Sequence, residues 1–165
     1  MHINIQTLLI QIKKICEHRH VKLTAQRLEV LRLISQQYHQ SISAYDLLNL
    51  LRTSSLPHAK PSTIYRALHF LLAQRFIHRI ESTNKFMLCK YFLELSHNFV
   101  FFICNHCKQV TEQTIKGVEE ILHHTAKLRG FVISNNIIES HGLCFNCTNS
   151  THVSITNSSF LSQRK

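Results

Sequence analysis

The chain has 165 residues, 44% hydrophobic and 17% charged, a balance that fits one ordinary globular domain or two small ones and argues against a solenoid, a large enzyme or a disordered chain. No apolar run approaches the roughly 20 residues that span a bilayer, and Lys13 and Lys14 follow the apolar N-terminal residues instead of preceding them, unlike a secretory leader. Nineteen Lys and Arg against nine Asp and Glu give a net charge of +10, which points to a polyanionic partner such as nucleic acid or an anionic membrane surface.

In chain order, Ile5, Leu8, Leu9, Ile12 and Ile15 recur at three- and four-residue steps and predict an amphipathic helix over 3–16. Thr24 reads as the N-cap of a helix over 25–34 with Leu28, Leu31 and Ile34 inward, closed by the polar stretch 35–41. Ser43 caps a third helix over 44–51, which ends at Ser54-Ser55-Leu56-Pro57. Pro61 opens a fourth, where its missing N–H costs little, with Ile64, Leu68, Leu71 and Leu72 as the buried side. Residues 76–81 and 85–89 flank Ser82-Thr83-Asn84, a connector of hairpin length. The last three of these helices followed by a hairpin give the order of a winged helix-turn-helix, so residues 1–90 are expected to form a DNA-binding domain.

Residues 91–97 read as a hinge, after which strand character takes over. Residues 99–103 and 110–115 predict a hairpin around Cys104 to Cys107, residues 117–129 a helix with Val118, Ile121, Leu122, Thr125 and Leu128 on one side, and residues 130–140 one further strand or two. This unit, 98–148, is expected to be a small α/β domain, and a strand-rich unit with an apolar face often dimerises. The Ser, Thr and Asn density predicts a disordered tail over 149–165. The fold class expected is therefore α+β.

Charge is uneven along the chain: residues 1–90 hold 13 basic and 4 acidic side chains and residues 91–165 hold 6 and 5, so the net divides as +9 and +1. The helical half is the one suited to a polyanion, although a basic surface can also serve solubility alone. Six cysteines in a chain without a leader suggest a reducing cytoplasm, where such residues bind metal or do redox chemistry more often than they form disulfides. Cys104-Asn-His-Cys107 and Cys144-Phe-Asn-Cys147 are two Cys-x-x-Cys knuckles separated by 36 residues. Each presents two thiolates to a tetrahedral ion; a thioredoxin-like dithiol is the rival for either pair, but two knuckles in one small unit favour a structural four-cysteine zinc site. A looser set comprises Cys89 at the end of the expected hairpin, His78 on its paired strand, His97 in the hinge and Glu112 in the next hairpin. Spacing alone does not join them, and a lone His or Cys is ordinarily a packed or surface residue. Two imidazoles, a thiolate and a carboxylate would nevertheless neutralise Zn²⁺ in a closed shell.

The runs Leu23-Thr-Ala-Gln-Arg-Leu-Glu-Val-Leu31, Ile42-Ser-Ala-Tyr-Asp-Leu-Leu48 and Lys60-Pro-Ser-Thr-Ile-Tyr-Arg-Ala-Leu68 resemble the DNA-binding domain of the ferric-uptake-regulator (Fur) superfamily. Glu81-Ser-Thr-Asn84, Leu88-Cys89 and Glu139-Ser-His-Gly-Leu-Cys144 are most similar to its zinc-uptake branch, and the resemblance spans roughly residues 6–147. It implies a cytoplasmic, homodimeric, zinc-responsive repressor that binds palindromic double-stranded operator DNA and silences zinc-uptake genes, with two Zn²⁺ per chain and neither a membrane nor a small-molecule substrate as partner. Cys104, Cys107, Cys144 and Cys147 match the structural zinc ligands of the family, and His78, Cys89, His97 and Glu112 its regulatory zinc ligands. Tyr45 and Arg66 match positions that approach DNA. Ala25 stands where relatives commonly have Pro, and no His-rich run surrounds His97, which weighs against iron sensing.

On the expected recognition helix Ser62, Thr63, Tyr65, Arg66 and His69 remain for the groove once Ile64, Leu68 and Leu71 are assigned to the core. Tyr45, Lys60 and Arg75 suit the phosphate backbone, although Tyr45 could pack between helices and Arg75 could cap a helix C-terminus. The alternatives are a family member sensing iron, manganese or nickel, a zinc-stapled adaptor without DNA function, and a zinc metalloenzyme. The last needs an open coordination position and a general base, and the sequence has neither a His-Glu-x-x-His run nor a spare carboxylate beside the ligands.

Overall fold

The structure is a computed structural model and describes residues 4–37, 40–93 and 99–150. Helix α1 spans Ile5–His18, its N-terminus capped by the Asn4 side chain, which accepts from the Gln6 and Thr7 amides. Leu8, Ile12 and Cys16 are its buried row, with Ile5, Leu9 and Ile15 half-buried beside it. Helix α2, Ala25–Gln36, starts at Thr24 as the sequence predicts and buries Val30, Leu31, Leu33 and Ile34, while Leu28 is only half-buried. A two-residue strand β1, Ile42–Ser43, follows, too short to leave a period in the sequence. Ser43 then caps α3, Ala44–Ser54, accepting from the Asp46 amide at 3.0 Å.

Helix α4, Pro61–Ala73, has Pro61 in its first turn and turns Ile64, Ala67, Leu68 and Leu71 into the core, with Leu72 half-buried. Strands β2, Ile77–Ile80, and β3, Lys85–Leu88, form the expected hairpin, with Asn84 at φ 52° in its turn, a left-handed conformation Asn tolerates. The sheet order is β1-β3-β2, and all pairs are antiparallel.

The second sheet contains β4, Phe99–Cys104, β5, Val110–Thr114, and, after helix α5, Val118–Leu128, strand β6, Ile138–Gly142. Its order is β5-β4-β6, with β5 antiparallel and β6 parallel to β4. Among residues 130–140 there is thus one strand, beginning only at Ile138. The predicted stripe of α5 is not a core stripe within this chain: no residue of the helix is fully buried, and Ile121 and Leu128 are 67% and 72% exposed. Helix α6, Phe145–Ser150, corrects the expected start of the tail, since Asn149 and Ser150 continue the turn on which Cys147 sits. The rest of that expected tail lies outside the described residues, as does the hinge from residue 94 onward.

One hydrophobic cluster runs from α1 to α4 through β2 and β3 into Phe99, Phe101, Ile103 and Val110 of the second sheet. Phe76 meets Phe92 edge-on at 6.3 Å between ring centroids, and Tyr91 stacks on Phe99 at 5.4 Å. Leu71 on α4 is fully buried in this cluster. Leu71→Ala is expected to lower unfolding stability by about 2–5 kcal/mol, measured by urea denaturation; a loss below about 0.5 kcal/mol, the scale of a surface substitution, contradicts that packing.

Candidate metal centres and nucleic-acid interface

Strand β4 delivers Cys104 at its C-terminal end, and Cys107 follows in the turn completed by Lys108 at φ 62°. Parallel pairing of Cys104 with Gly142 sets β6 alongside, so that Cys144 and then Cys147 on α6 reach the same spot. The four sulfurs lie within 4.8 Å of one another, and Cys107 Sγ and Cys144 Sγ are 3.7 Å apart. Bonds of 2.3 Å to a tetrahedral ion imply sulfur separations of about 3.8 Å. The Cys144 amide donates to Cys104 Sγ at 3.4 Å. That amide, then the Cys107 amide, against the opposing effect of burial, brings the Cys104 thiol down to about 6. Cys147 is pushed up to about 12, chiefly by its hydrogen bond with Cys144, then by burial and by Cys107 and Cys104. One thiolate is thus favoured by local amides, and further ones are opposed until a cation offsets them. A closed Cys₄ set suits a structural Zn²⁺. Cys144→Ser should remove one tightly held ion per chain and lower the melting temperature, read by metal analysis and calorimetry; unchanged metal content contradicts this assignment.

A second cluster joins the two sheets. His78 on β2, Cys89 just after β3 and Glu112 on β5 place one ligand atom each within 4.8 Å of the others. His78 Nε2 and Glu112 Oε1 are 2.7 Å apart, and the Cys89 thiol donates to the same oxygen at 3.8 Å. The Lys90 amide donates to Glu112 Oε2 at 3.0 Å, a partner the sequence offered no way to find. Glu112 is 1% exposed and Cys89 fully buried, so these groups meet in a place where unpaired charge is costly. A nitrogen and an oxygen on one tetrahedral ion stand about 3.3 Å apart; the 2.7 Å contact is a hydrogen bond that coordination would replace after a small outward shift. His97, the fourth ligand the sequence suggests, lies outside the described residues.

The residues that the sequence offers for DNA lie on the outer side of α4 and at the start of α3. Ser62, Tyr65, Arg66 and His69 are exposed, Thr63 is half-buried, and Lys60 at the N-cap and Tyr45 are exposed as well. Tyr45, 72% exposed, therefore does not pack between helices. Arg75 sits at φ 60° just beyond the helix C-terminus, its amide bonded to Leu72 O.

A winged helix carrying a basic outer face, fused to a small α/β unit with a closed cysteine cluster and a second ligand cluster at the joint, defines a metal-holding DNA-binding regulator. Residues 18–141 match the ferric uptake regulator family, and the chain belongs to that family. It is 54% identical over 142 residues to the zinc uptake regulation protein of Escherichia coli K12, covering 86% of this chain and 82% of that one. It is 27% identical over 141 residues to the ferric uptake regulation protein of Bacillus subtilis 168, covering 83% of this chain and 92% of that one. Among solved structures, a zinc uptake regulator complexed with zinc and DNA superposes with a TM-score of 0.86 at 51% identity, over 90% of this chain and 98% of that one. The holo form of XcZur superposes at 0.78 over 87% of this chain and its apo form at 0.50 over 88%, each at 34% identity and over 98% of that chain. These relatives are regulators, not enzymes, and so is this protein.

Proposed function

We propose that the chain is a zinc-responsive transcriptional repressor that, as a zinc-loaded homodimer in the cytoplasm, binds operator DNA and silences zinc-uptake genes. The observation that carries this is the meeting of His78 and Cys89 from the DNA-reading unit with Glu112 from the other unit at a single point. The similarity to a regulator solved with zinc and DNA supports it, as does the closer match to the holo than to the apo form of XcZur at equal identity.

His78, Cys89 and Glu112, with His97 as the fourth donor, would hold the regulatory ion; Cys104, Cys107, Cys144 and Cys147 would hold the structural one, giving two per chain. When bound at the joint, zinc supplies a tie that neutralises the thiolate and carboxylate in one shell. The residues do the rest. Cys89 and His78 belong to the hairpin that follows α4, with the Cys89 amide bonded to Phe76 O at 3.0 Å, so fixing them fixes the recognition helix. Arg66 then meets a base edge, while Tyr45 and Lys60 position the phosphate backbone. A thiolate in the donor set favours zinc over iron, manganese or nickel.

Titrating the full chain against operator DNA at buffered free zinc, with bound metal counted at each point, tests this reading. Two ions per chain are expected, the second tracking DNA affinity; one ion throughout contradicts the switch. Cys89→Ser should keep the structural ion and abolish the zinc dependence of operator binding, and retained dependence would overturn Cys89 as a ligand. Arg66→Ala should weaken operator binding by about 1–3 kcal/mol, that is, about 5- to 150-fold. An equal loss on random-sequence DNA would instead make Arg66 a phosphate contact.

A further inference from the structure

Glu139 on β6 has no place in either metal cluster, yet it reaches across to the other unit. Its Oε1 accepts from the Glu81 amide at 2.6 Å and its Oε2 from the Ser82 amide at 3.1 Å. Both donors lie in the turn of the β2–β3 hairpin, beyond the last ladder pair, Ile80 with Lys85, so the hairpin's own ladder does not use them.

The register of the second sheet explains why this happens. Phe101 of β4 pairs with Glu112 of β5 on one side and with Glu139 of β6 on the other, so the three residues form one row across the sheet. Residues directly opposite in neighbouring strands present side chains to the same face. Strand β2 lies along that row: His78 is at Glu112, its ring is 5.2 Å from that of Phe101, and the turn is at Glu139. Three residues of strand, from His78 to Glu81, cover about 10 Å, and two strand spacings, from β5 to β6, cover about 9.6 Å. The two lengths agree, and each end of the hairpin strand meets a carboxylate.

We infer that Glu139 is a positioning residue: by capturing the main-chain amides of the hairpin turn it holds the DNA-reading unit in the same orientation that the ligands of the joint require. The Glu139 side chain is only 10% exposed. Burial pushes its carboxyl up, but the Ser82 hydroxyl and the Glu81 and Ser82 amides outweigh it and hold the group below the usual carboxylate range, so it accepts as an anion. Hydrogen bonds to an ionised acceptor are roughly twice as strong as neutral ones. Glu81 carries a like charge beside this site, but its carboxylate is turned to Arg79, 3.4 Å away. A hairpin tip held this way is turned toward the second unit, which leaves sequence reading to α4.

The inference rests on the zinc-responsive reading above, and the test separates the two. Amide hydrogen exchange and operator binding would be measured on the full-length protein, on Glu139→Ala, and on Glu139→Gln, which keeps the volume and one acceptor oxygen. In Glu139→Ala, exchange at Glu81 and Ser82 should accelerate while amides of α2 keep their rates. The free zinc needed for half-maximal operator binding should rise at least about tenfold, the scale of even one lost charge-assisted bond. Glu139→Gln should fall between, and the tightly held structural ion should be unaffected in both. Unchanged exchange at Glu81 and Ser82, or an unchanged zinc midpoint in both variants while the parent responds to zinc, overturns the inference. If the parent itself shows no zinc response, the repressor reading fails, and the exchange data alone then decide whether Glu139 holds the turn.

Discussion

Glu112 is 1% exposed on β5, yet its partners, the His78 imidazole, the Cys89 thiol and the Lys90 amide, all come from the hairpin of the other unit. Leaving a buried carboxylate without partners costs several kcal/mol. The sheet can part from the hairpin only by rehydrating Glu112 or by giving its three partners up together. The joint between the units is therefore specific in orientation, and it is built from groups whose donor atoms lie close enough together to share a metal ion. Around it the packing is apolar, through Phe99 and Phe101 against His78 and Tyr91 against Phe99. Such packing resists separation but tolerates sliding far better than the carboxylate does.

Orientation matters because little chain separates the joint from the face proposed to read DNA. Helix α4 ends at Ala73 and β2 begins at Ile77, with the Phe76 amide bonded back to Leu71 O at 3.0 Å. At that same connection, Arg19 at the close of α1 donates to Gln74 O at 2.8 Å and lies over the Phe76 ring. Recognition helix and hairpin thus turn as one body. In a symmetric dimer, two such bodies must present their helices about 34–36 Å apart to reach successive major-groove faces. A small rotation at each joint is enough to lose one of the two contacts. On the proposed reading, metal at the joint and DNA at the helices select the same conformer, and their affinities rise together.

Much of this arrangement was legible in the residues. Thr24, Ser43 and Pro61 mark helix starts because capping is local chemistry, and the two Cys-x-x-Cys runs announce themselves by spacing. The joint was legible only by resemblance, since nothing in residues 78, 89 and 112 taken alone says that a strand of one unit crosses a sheet of another. Strand β1 was missed because two residues carry no periodicity, and residues 131–137 carry β-branched and aromatic side chains without forming a strand within this chain. The apolar side of α5 was read correctly as a stripe, yet the chain itself does not cover it: Ile121 and Leu128 stay exposed. Glu139 was invisible as a contact because its partners are main-chain amides, which every residue offers, and only the register of β4 with β6 selects those of Glu81 and Ser82.

The central claim is that one conformer serves both metal and DNA, and thermodynamic reciprocity tests it most directly. Zinc affinity at the joint would be measured by competition with a chelator, in the presence and absence of saturating operator DNA. It should rise with DNA by the same factor by which zinc raises DNA affinity, while the four-cysteine site is unaffected. Zinc affinity at the joint that is the same with and without operator would contradict the account.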